Sequence, residues 1–460
     1  MRASLWSRTW VRVVIALLLV VLLALGALFS QRQVIRDAAE GYVYGYPLVI
    51  TELSRDAFNR GLAPTQHLVH VQKFPDARFR EIVRPNVDTL YSVAWLDLSS
   101  EALVFELPAT QRYNVMQFLD AWTNVYASLG PRTTGTGAGT YLLVGPTWQG
   151  DVPEGMKLLR SPTAIAWLLG RIQTNGVADY DAVHGIQKDV RLTPLADWQQ
   201  GKRSESLAPP AKPERGTPPL YQMRAMAAPD FFQRLARLLA SNPAAAVDQP
   251  ALQGLARLGV QPGQALKPWG WLQGQAVSLG IWLAERKLQD AVEHPRELKN
   301  GWRVPPALVG RYGSEYGLRA AVAMAGFGAN LAEDAVYPNA VQDAAGQPLQ
   351  GGQRYRLHFA AGQLPPVRAF WSVTVYDTDG YLVDNPLNRY ALGDRDALKR
   401  NADGSLDLYL QSEAPEGEQQ SNWLPIPKQG GFALTARLYW PEPAILNGSW
   451  GMPAIERVKP

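Results

Sequence analysis

The stretch RPNVDTLYSVAWLDL, Arg84 to Leu98, sets a polar turn directly against an apolar strand. Its second half, Leu90 to Leu98, is a strand-length run of aliphatic and aromatic residues, the composition that suits a pleated and largely buried segment. Its first half concentrates Arg84, Asn86, Asp88, Thr89 and Tyr91 at the mouth of that strand. Pro85 biases Arg84 toward extended backbone, and Asn86 to Asp88 suit a turn. Asp88 can bond its own backbone or pair with Arg84. Two readings stay open for this cluster. It closes a strand end by internal hydrogen bonds, as buried polar groups usually do, or it converges on a ligand.

The strand pattern extends outward in both directions. LVFELP, YNVMQFLD and TYLLVGP, between Leu103 and Pro146, are short apolar runs punctuated by Pro, Gly and Asp. Far along the chain, AFWSVTVYD (Ala369 to Asp377) alternates, with Trp371, Val373 and Val375 on one face. Phe370, Ser372, Thr374 and Tyr376 fall on the other. FALTARLYW (Phe432 to Trp440) repeats this, and such alternation predicts an antiparallel sheet with one buried face. Helical spacing appears between these regions. Gln31 to Phe58 reads as a helix that Pro47 kinks or ends, and Pro229 to Val336 reads as a helical unit. Gly201 to Leu220 is rich in Pro and charge and reads as a linker. The expected division is an anchor at 1–30, an N-terminal β domain with a leading helix at 31–200, a linker and helical region at 201–340, and a C-terminal β domain at 341–460. The expected class is mainly β with a substantial helical part: two antiparallel domains, sandwich- or barrel-like, joined by helices.

Composition narrows the function classes. Hydrophobic residues are 47% and charged residues 19% of 460, a globular balance. The net charge is +4, and Arg2, Arg8 and Arg12 account for most of it. The remaining body is nearly neutral, which argues against a nucleic-acid partner. The absence of cysteine excludes thiol catalysis, disulfides and Cys-ligated metals. Val13 to Phe29 is a charge-free apolar run of 17 residues, the lower limit for a membrane span. Arginines before it place the N-terminus inside and the body outside the cytoplasmic membrane. The favoured expectation is therefore a single-pass inner-membrane anchor with a periplasmic body. The alternative is a signal peptide, cleaved to release the body into the periplasm.

Familiar chemical motifs fail. No G-x-S-x-G elbow occurs. GTGAGT, Gly135 to Thr140, opens a strand, whereas a phosphate loop opens a helix. DTDGYLVDN and NADGSLDLYL break calcium-loop spacing and read as turns. His67 and His70 are three apart in an extended segment and would face opposite sides, so no metal site is assigned. No cofactor motif survives, and no cofactor is expected. What remains is Asp88 and Asp120 as a candidate acid–base pair, since paired carboxylates can serve hydrolysis. Arg84, Asn86, Tyr91, Trp122, Asn124 and Arg132 are candidate ligand binders, with Tyr376, Trp423 and Arg437 from the C-terminal aromatic cluster.

Several of these segments carry a resemblance. GYVYGYPLV, RPNVDTLYSVAWLDL, RYNVMQFLDAWTNVYASLGPRTTG and TYLLVGPTW resemble the bacterial domain of unknown function numbered 1254. FWSVTVYDTDGYLVDN, NRYAL, DGSLDLYLQ, NWLPIP and FALTARLYWPEPAILNGSWGMPAIERV resemble its usual C-terminal partner, numbered 1214. The resemblance implies two β-rich domains with helices between them, and little about chemistry. The apolar N-terminal segment is an addition to the family pattern. Two functions are carried forward. One is an envelope protein that binds a small polar or sugar-like ligand, or an envelope partner, with assembly as a homo-oligomer left open. The other is a hydrolase- or lyase-type enzyme using the two carboxylates.

Overall fold

The structure, a computed structural model, describes residues 10–18, 26, 29–80, 83–210, 212, 214, 216–294 and 298–458. Most of the apolar run Val13–Phe29 lies outside them, so the expected anchor helix is not among the described elements. Among the described residues, no helix is long and apolar enough to cross a membrane. The chain divides into two compact units. One comprises residues 1–53, 217–293 and 313–325, and the other 54–216, 294–312 and 326–460.

The first unit is helical. Helix α1 (Arg32–Gly61) runs through Pro47 without ending there. The leading helix, grouped with the N-terminal β domain on sequence, contributes its residues up to Leu53 to this helical unit. Glycines on α1 admit neighbours: a Cβ on Gly45 would stand 2.6 Å from Leu235 Cδ2. Leu235 belongs to a helix spanning Ala228–Leu239, whose buried face also holds Phe231, Phe232, Leu238 and Leu239. Pro at the start of that helix and apolar residues at three- and four-residue spacing are why this segment is helical and packs on one side. Buried Glu52 of α1 accepts Arg234 and Arg237, each at 2.7 Å.

The second unit holds both β domains. In the N-terminal one, strands β1 (Val69–His70), β2 (Thr89–Asp97), β4 (Asn114–Asp120), β5 (Val125–Leu129) and β8 (Ile165–Gln173) form a sheet in the order β1-β2-β8-β4-β5. Strands β3 (Leu103–Leu107), β6 (Gly139–Val144), β7 (Lys157–Arg160) and β9 (Arg191–Pro194) form a second sheet in the order β7-β6-β3-β9. Leu90, Leu96, Phe118 and Leu168 from the first meet Phe105, Leu143 and Leu192 from the second in one apolar core. This is a sandwich, not a barrel.

The C-terminal domain repeats the two-sheet plan. Strands β10 (Trp302–Arg303), β12 (Asn339–Ala340), β14 (Val367–Asp377), β15 (Ala391–Gly393) and β18 (Phe432–Pro441) make one sheet, with β11 (Ala335–Val336) also on β18. Strands β13 (Arg354–Phe359), β16 (Leu406–Gln411), β17 (Trp423–Pro425) and β19 (Ile455–Val458) make the other. Trp371, Val373, Val375, Leu434 and Leu438 share a core with Leu357, Phe359 and Leu408. Two edge pairs depart from the expected antiparallel pattern, since β6–β7 and β16–β17 are parallel.

The alternation in β14 and β18 holds, but the expectation of one solvated face does not. Ser372, Thr374 and Tyr376 are buried with Thr435, Arg437 and Tyr439 across the ladder. The residues covering this second face come from the N-terminal domain, beginning at Arg84.

Candidate functional site

Arg84 enters the site with a φ of 52°, in the left-handed region that a residue before proline rarely adopts. Its sequence-based expectation of extended backbone is thus overturned. The bonds that hold it are long-range. Its N–H donates to the Gly380 carbonyl (2.6 Å), and its carbonyl accepts from Arg437 Nη2 (3.1 Å). Its guanidinium donates to Thr435 Oγ1 (2.9 Å) and to Asn339 Oδ1.

Asn86 then closes a side-chain turn. Its Oδ1 accepts the backbone N–H groups of Asp88 (2.6 Å) and Thr89 (3.2 Å), and its Nδ2 donates to Tyr439 OH (2.7 Å). Such a turn is the local reason the chain bends before β2. Asp88 is 1% exposed. It accepts Ser372 Oγ (2.7 Å) on Oδ2 and is ion-paired on Oδ1 with Arg395. Arg395 also donates to the Asp88 carbonyl (3.1 Å) and lies 4.2 Å above the Phe370 ring. Arg395, rather than Arg84, is therefore the partner of Asp88.

Arg437 reaches Thr374 Oγ1 (2.8 Å) and Tyr376 OH (2.6 Å), and Tyr376 OH donates to the Pro85 carbonyl (2.7 Å). Arg171 of β8, 5% exposed, completes the cluster. It donates to the Gly328 carbonyl (3.0 Å) and sits 5.2 Å from the Tyr91 ring centre, while its Nε has no hydrogen-bond partner. Burial raises the pKa values of the Tyr376, Tyr337 and Tyr439 phenols, so they are neutral at ordinary pH. They give the guanidiniums hydrogen bonds and ring faces, but no negative charge. Burial also lowers the pKa of Arg84, and the neighbouring charges of Arg437 and Arg303 act in the same direction.

The other sequence candidates lie elsewhere. Asp120 pairs across β8 with Ala166, whereas Thr89 pairs with Gln173 at the opposite end of that strand. At ~3.3 Å per residue the two carboxylates are separated by about 23 Å along the sheet, so they do not form a paired acid–base arrangement. Asp120 caps its own turn: it accepts Trp122 N–H (2.8 Å), Asn124 N–H (2.9 Å) and Asn124 Nδ2 (3.1 Å). Trp122 and Asn124 thus belong to that corner. Arg132 is ion-paired with Asp334 (2.6 Å), which also accepts Ser128 Oγ (2.7 Å). Trp423 is buried in β17 and donates to the Gln411 carbonyl (2.8 Å). A surface hollow lined by Asp76, Arg78, Asp384 and Tyr390 contains neither candidate carboxylate.

Arg84, Asn86, Asp88, Tyr91, Tyr376 and Arg437 are brought into one cluster. Arg171, Arg395, Ser372, Tyr337 and Tyr439 join them and were missed on sequence. Arg171 carries a signal that could have found it, being the lone charge in the apolar strand IAWLLGRIQ.

Residues 65–194 match the family described as protein of unknown function DUF1254, and residues 334–443 match protein of unknown function DUF1214. The chain is a tandem DUF1254–DUF1214 protein. The cluster draws Arg84, Asn86, Asp88, Tyr91 and Arg171 from the DUF1254 region. It draws Tyr337, Ser372, Tyr376, Arg395, Arg437 and Tyr439 from the DUF1214 region. The tandem fold is also that of the VPA0106 protein from Vibrio parahaemolyticus, whose crystal structure matches with a TM-score of 0.69 at 23% identity, over 93% of this chain and 100% of that one. An uncharacterised protein from Burkholderia cenocepacia matches with a TM-score of 0.44 at 15% identity, over 94% of this chain and 95% of that one. No curated protein matches the chain.

Proposed function

We propose that this protein binds a small anionic ligand between its two β domains, and that it does so as an envelope protein held to the cytoplasmic membrane by the apolar run Val13–Phe29. The observation that carries the binding reading is an imbalance of buried charge. Arg84, Arg171 and Arg437 converge with their hydrogen bonds going to carbonyls, hydroxyls and a carboxamide. The buried carboxylate among them, Asp88, is engaged by a fourth arginine, Arg395. A buried charge without a counter-ion costs several kcal/mol, and a carboxylate or phosphate group would offset that cost. Guanidinium forks suit both groups. The ligand enters at the Arg395 edge, where that side chain is 16% exposed, by a small parting of the polar faces.

The binding reading is favoured over a carboxylate-based hydrolase or lyase. Asp88 spends its oxygens on Ser372 and Arg395, and Asp120 spends its own on a turn. The anchor reading is supported by the arginines preceding a charge-free run of 17 residues.

The test is thermal unfolding of the full chain in detergent with inorganic phosphate, citrate, succinate or glucose. The anion that fits raises the melting temperature, by about 2.7 kcal/mol of stabilisation at 100-fold over its Kd, and glucose does not. In Arg171→Met the anion-free protein melts nearly as before, because losing an uncompensated charge offsets losing the carbonyl bonds. The anion-dependent shift disappears in that variant. Equal stabilisation by glucose, or a shift retained in Arg171→Met, overturns the reading.

A further inference from the structure

The arginine cluster carries a second, uncharged requirement beside Arg171. Gln117 of β4 and Arg171 of β8 share one face of the N-terminal sheet, because Gln117 pairs with Leu169 and Val115 with Arg171. They are diagonal neighbours, about 7 Å apart. The backbone at Gly328 and Ala329 covers both. The Gly328 carbonyl accepts Arg171 Nη2 (3.0 Å) and Gln117 Nε2 (3.5 Å), and the Ala329 carbonyl accepts Gln117 Nε2 (2.9 Å). One oxygen therefore holds the two head groups side by side. Gly328 has a φ of 80°, and a Cβ there would stand 2.7 Å from Leu169 Cδ2, so glycine is what lets this backbone come so close.

These bonds fix which atoms are left over. Carbonyl oxygens only accept, so the amide nitrogen of Gln117 must face them and its Oε1 is turned away. Gln117 is 0% exposed, and that buried oxygen has no hydrogen-bond partner. Arg171 spends Nη1 on the Leu169 carbonyl and Nη2 on Gly328, and its buried Nε has no partner. An unsatisfied acceptor thus stands beside an unsatisfied charged donor, where buried polar groups are normally paired. The two together select among ligands. A water donates to one and accepts from the other, but leaves the guanidinium without a counter-ion. A plain carboxylate neutralises Arg171 and offers Gln117 Oε1 no hydrogen. An α-amino acid brings donors, but also an ammonium charge among Arg84, Arg171 and Arg437, where like charges repel. A carboxylate with a hydroxyl on the adjoining carbon meets both demands: its charge falls on Arg171, and its neutral O–H donates to Gln117 Oε1.

We infer that the ligand is a 2-hydroxycarboxylate and that Gln117 sets this specificity, an inference that rests on the anion-binding reading. The test is calorimetric titration of the full chain in detergent with matched pairs that differ by one hydroxyl: glycolate and acetate, lactate and propionate, malate and succinate. Alanine is the amino counterpart of lactate, and inorganic phosphate the anion without a carbon skeleton. In the pair whose size fits, the hydroxy acid is expected to bind at least about tenfold more tightly than its partner, because a site built to bond a hydroxyl rejects the analogue that lacks it. Alanine is expected to bind more weakly than lactate. In Gln117→Met, which keeps the length of the side chain and removes the acceptor, the ratio within that pair falls to near one. If the variant does not fold, the ratio in the unsubstituted protein decides by itself. Binding of none of these anions overturns the anion reading and this inference with it. Binding with equal affinity inside each pair overturns the hydroxyl requirement alone. A hydroxy-acid preference that persists in folded Gln117→Met overturns the assignment to Gln117.

Discussion

Replacing Asp88 by Asn separates a structural carboxylate from a chemical one. Asp88 is 1% exposed, and its partner Arg395 keeps 16% of its side chain in solvent. The substitution retains the size of the side chain but removes the charge and sets an amide against the guanidinium. Breaking one partner of a buried ion pair costs about 3–5 kcal/mol. Because Arg395 is partly wet and still donates to the Asp88 and Thr174 carbonyls, the lower end applies, about 3 kcal/mol. For a unit of this size that lowers the melting temperature by about 4–5 °C. Removing the partner charge as well, in Asp88→Asn with Arg395→Met, recovers part of the loss. The charge imbalance adds a second expectation. Asp88 is the anionic member of the cluster, so Asp88→Asn leaves anion affinity per folded molecule unchanged or raises it. Thermal unfolding and calorimetric titration with the stabilising anion measure both quantities on one sample. A stability change under about 0.5 kcal/mol, the range of an ordinary surface substitution, would refute the ion-pair reasoning. Loss of binding in a folded variant would return Asp88 to the ligand-contacting groups.

Stability also falls in acid through His70, which is buried, bonded through Nδ1 to Ser92 Oγ (2.9 Å), and held down to a pKa of about 4 by burial. Its folded pKa lies below the unfolded value, so its contribution is complete above pH ~6.5 and declines as the unfolded chain takes up a proton, by about 3 kcal/mol at pH 4. Urea unfolding at several pH values should show this decline, and His70→Gln should flatten it; an equally steep decline in the variant would assign it to other groups. Within the helical unit, Gly280→Ala should destabilise by about 1–3 kcal/mol through overpacking against α1, despite the better helix propensity of alanine. A gain in stability would contradict the close approach of the helix Trp271–Glu293 to α1.

Local order in this protein was legible from residue order. Alternation in AFWSVTVYD and FALTARLYW assigns Trp371, Val373 and Leu434 to one face and Ser372, Thr374 and Arg437 to the other, because side chains on a strand repeat every two residues. Turn chemistry at Asn86, the Pro-rich break before residue 217 and the amphipathic spacing of Phe231 to Leu239 are equally local. The order of the two domains was readable from the motifs they carry. Tertiary structure alone decided what covers each face. A period of two says which residues travel together, but not whether water or another domain lies over them. The polar face of β14 and β18 is therefore a buried interface, although its pattern is that of a solvated one. The same limit governs the charges. Arg395 is 307 residues from Asp88, and no local rule could choose it over Arg84, four residues away. Asp88 and Asp120 are close in sequence but are held at opposite ends of β8, because strand register sets their separation.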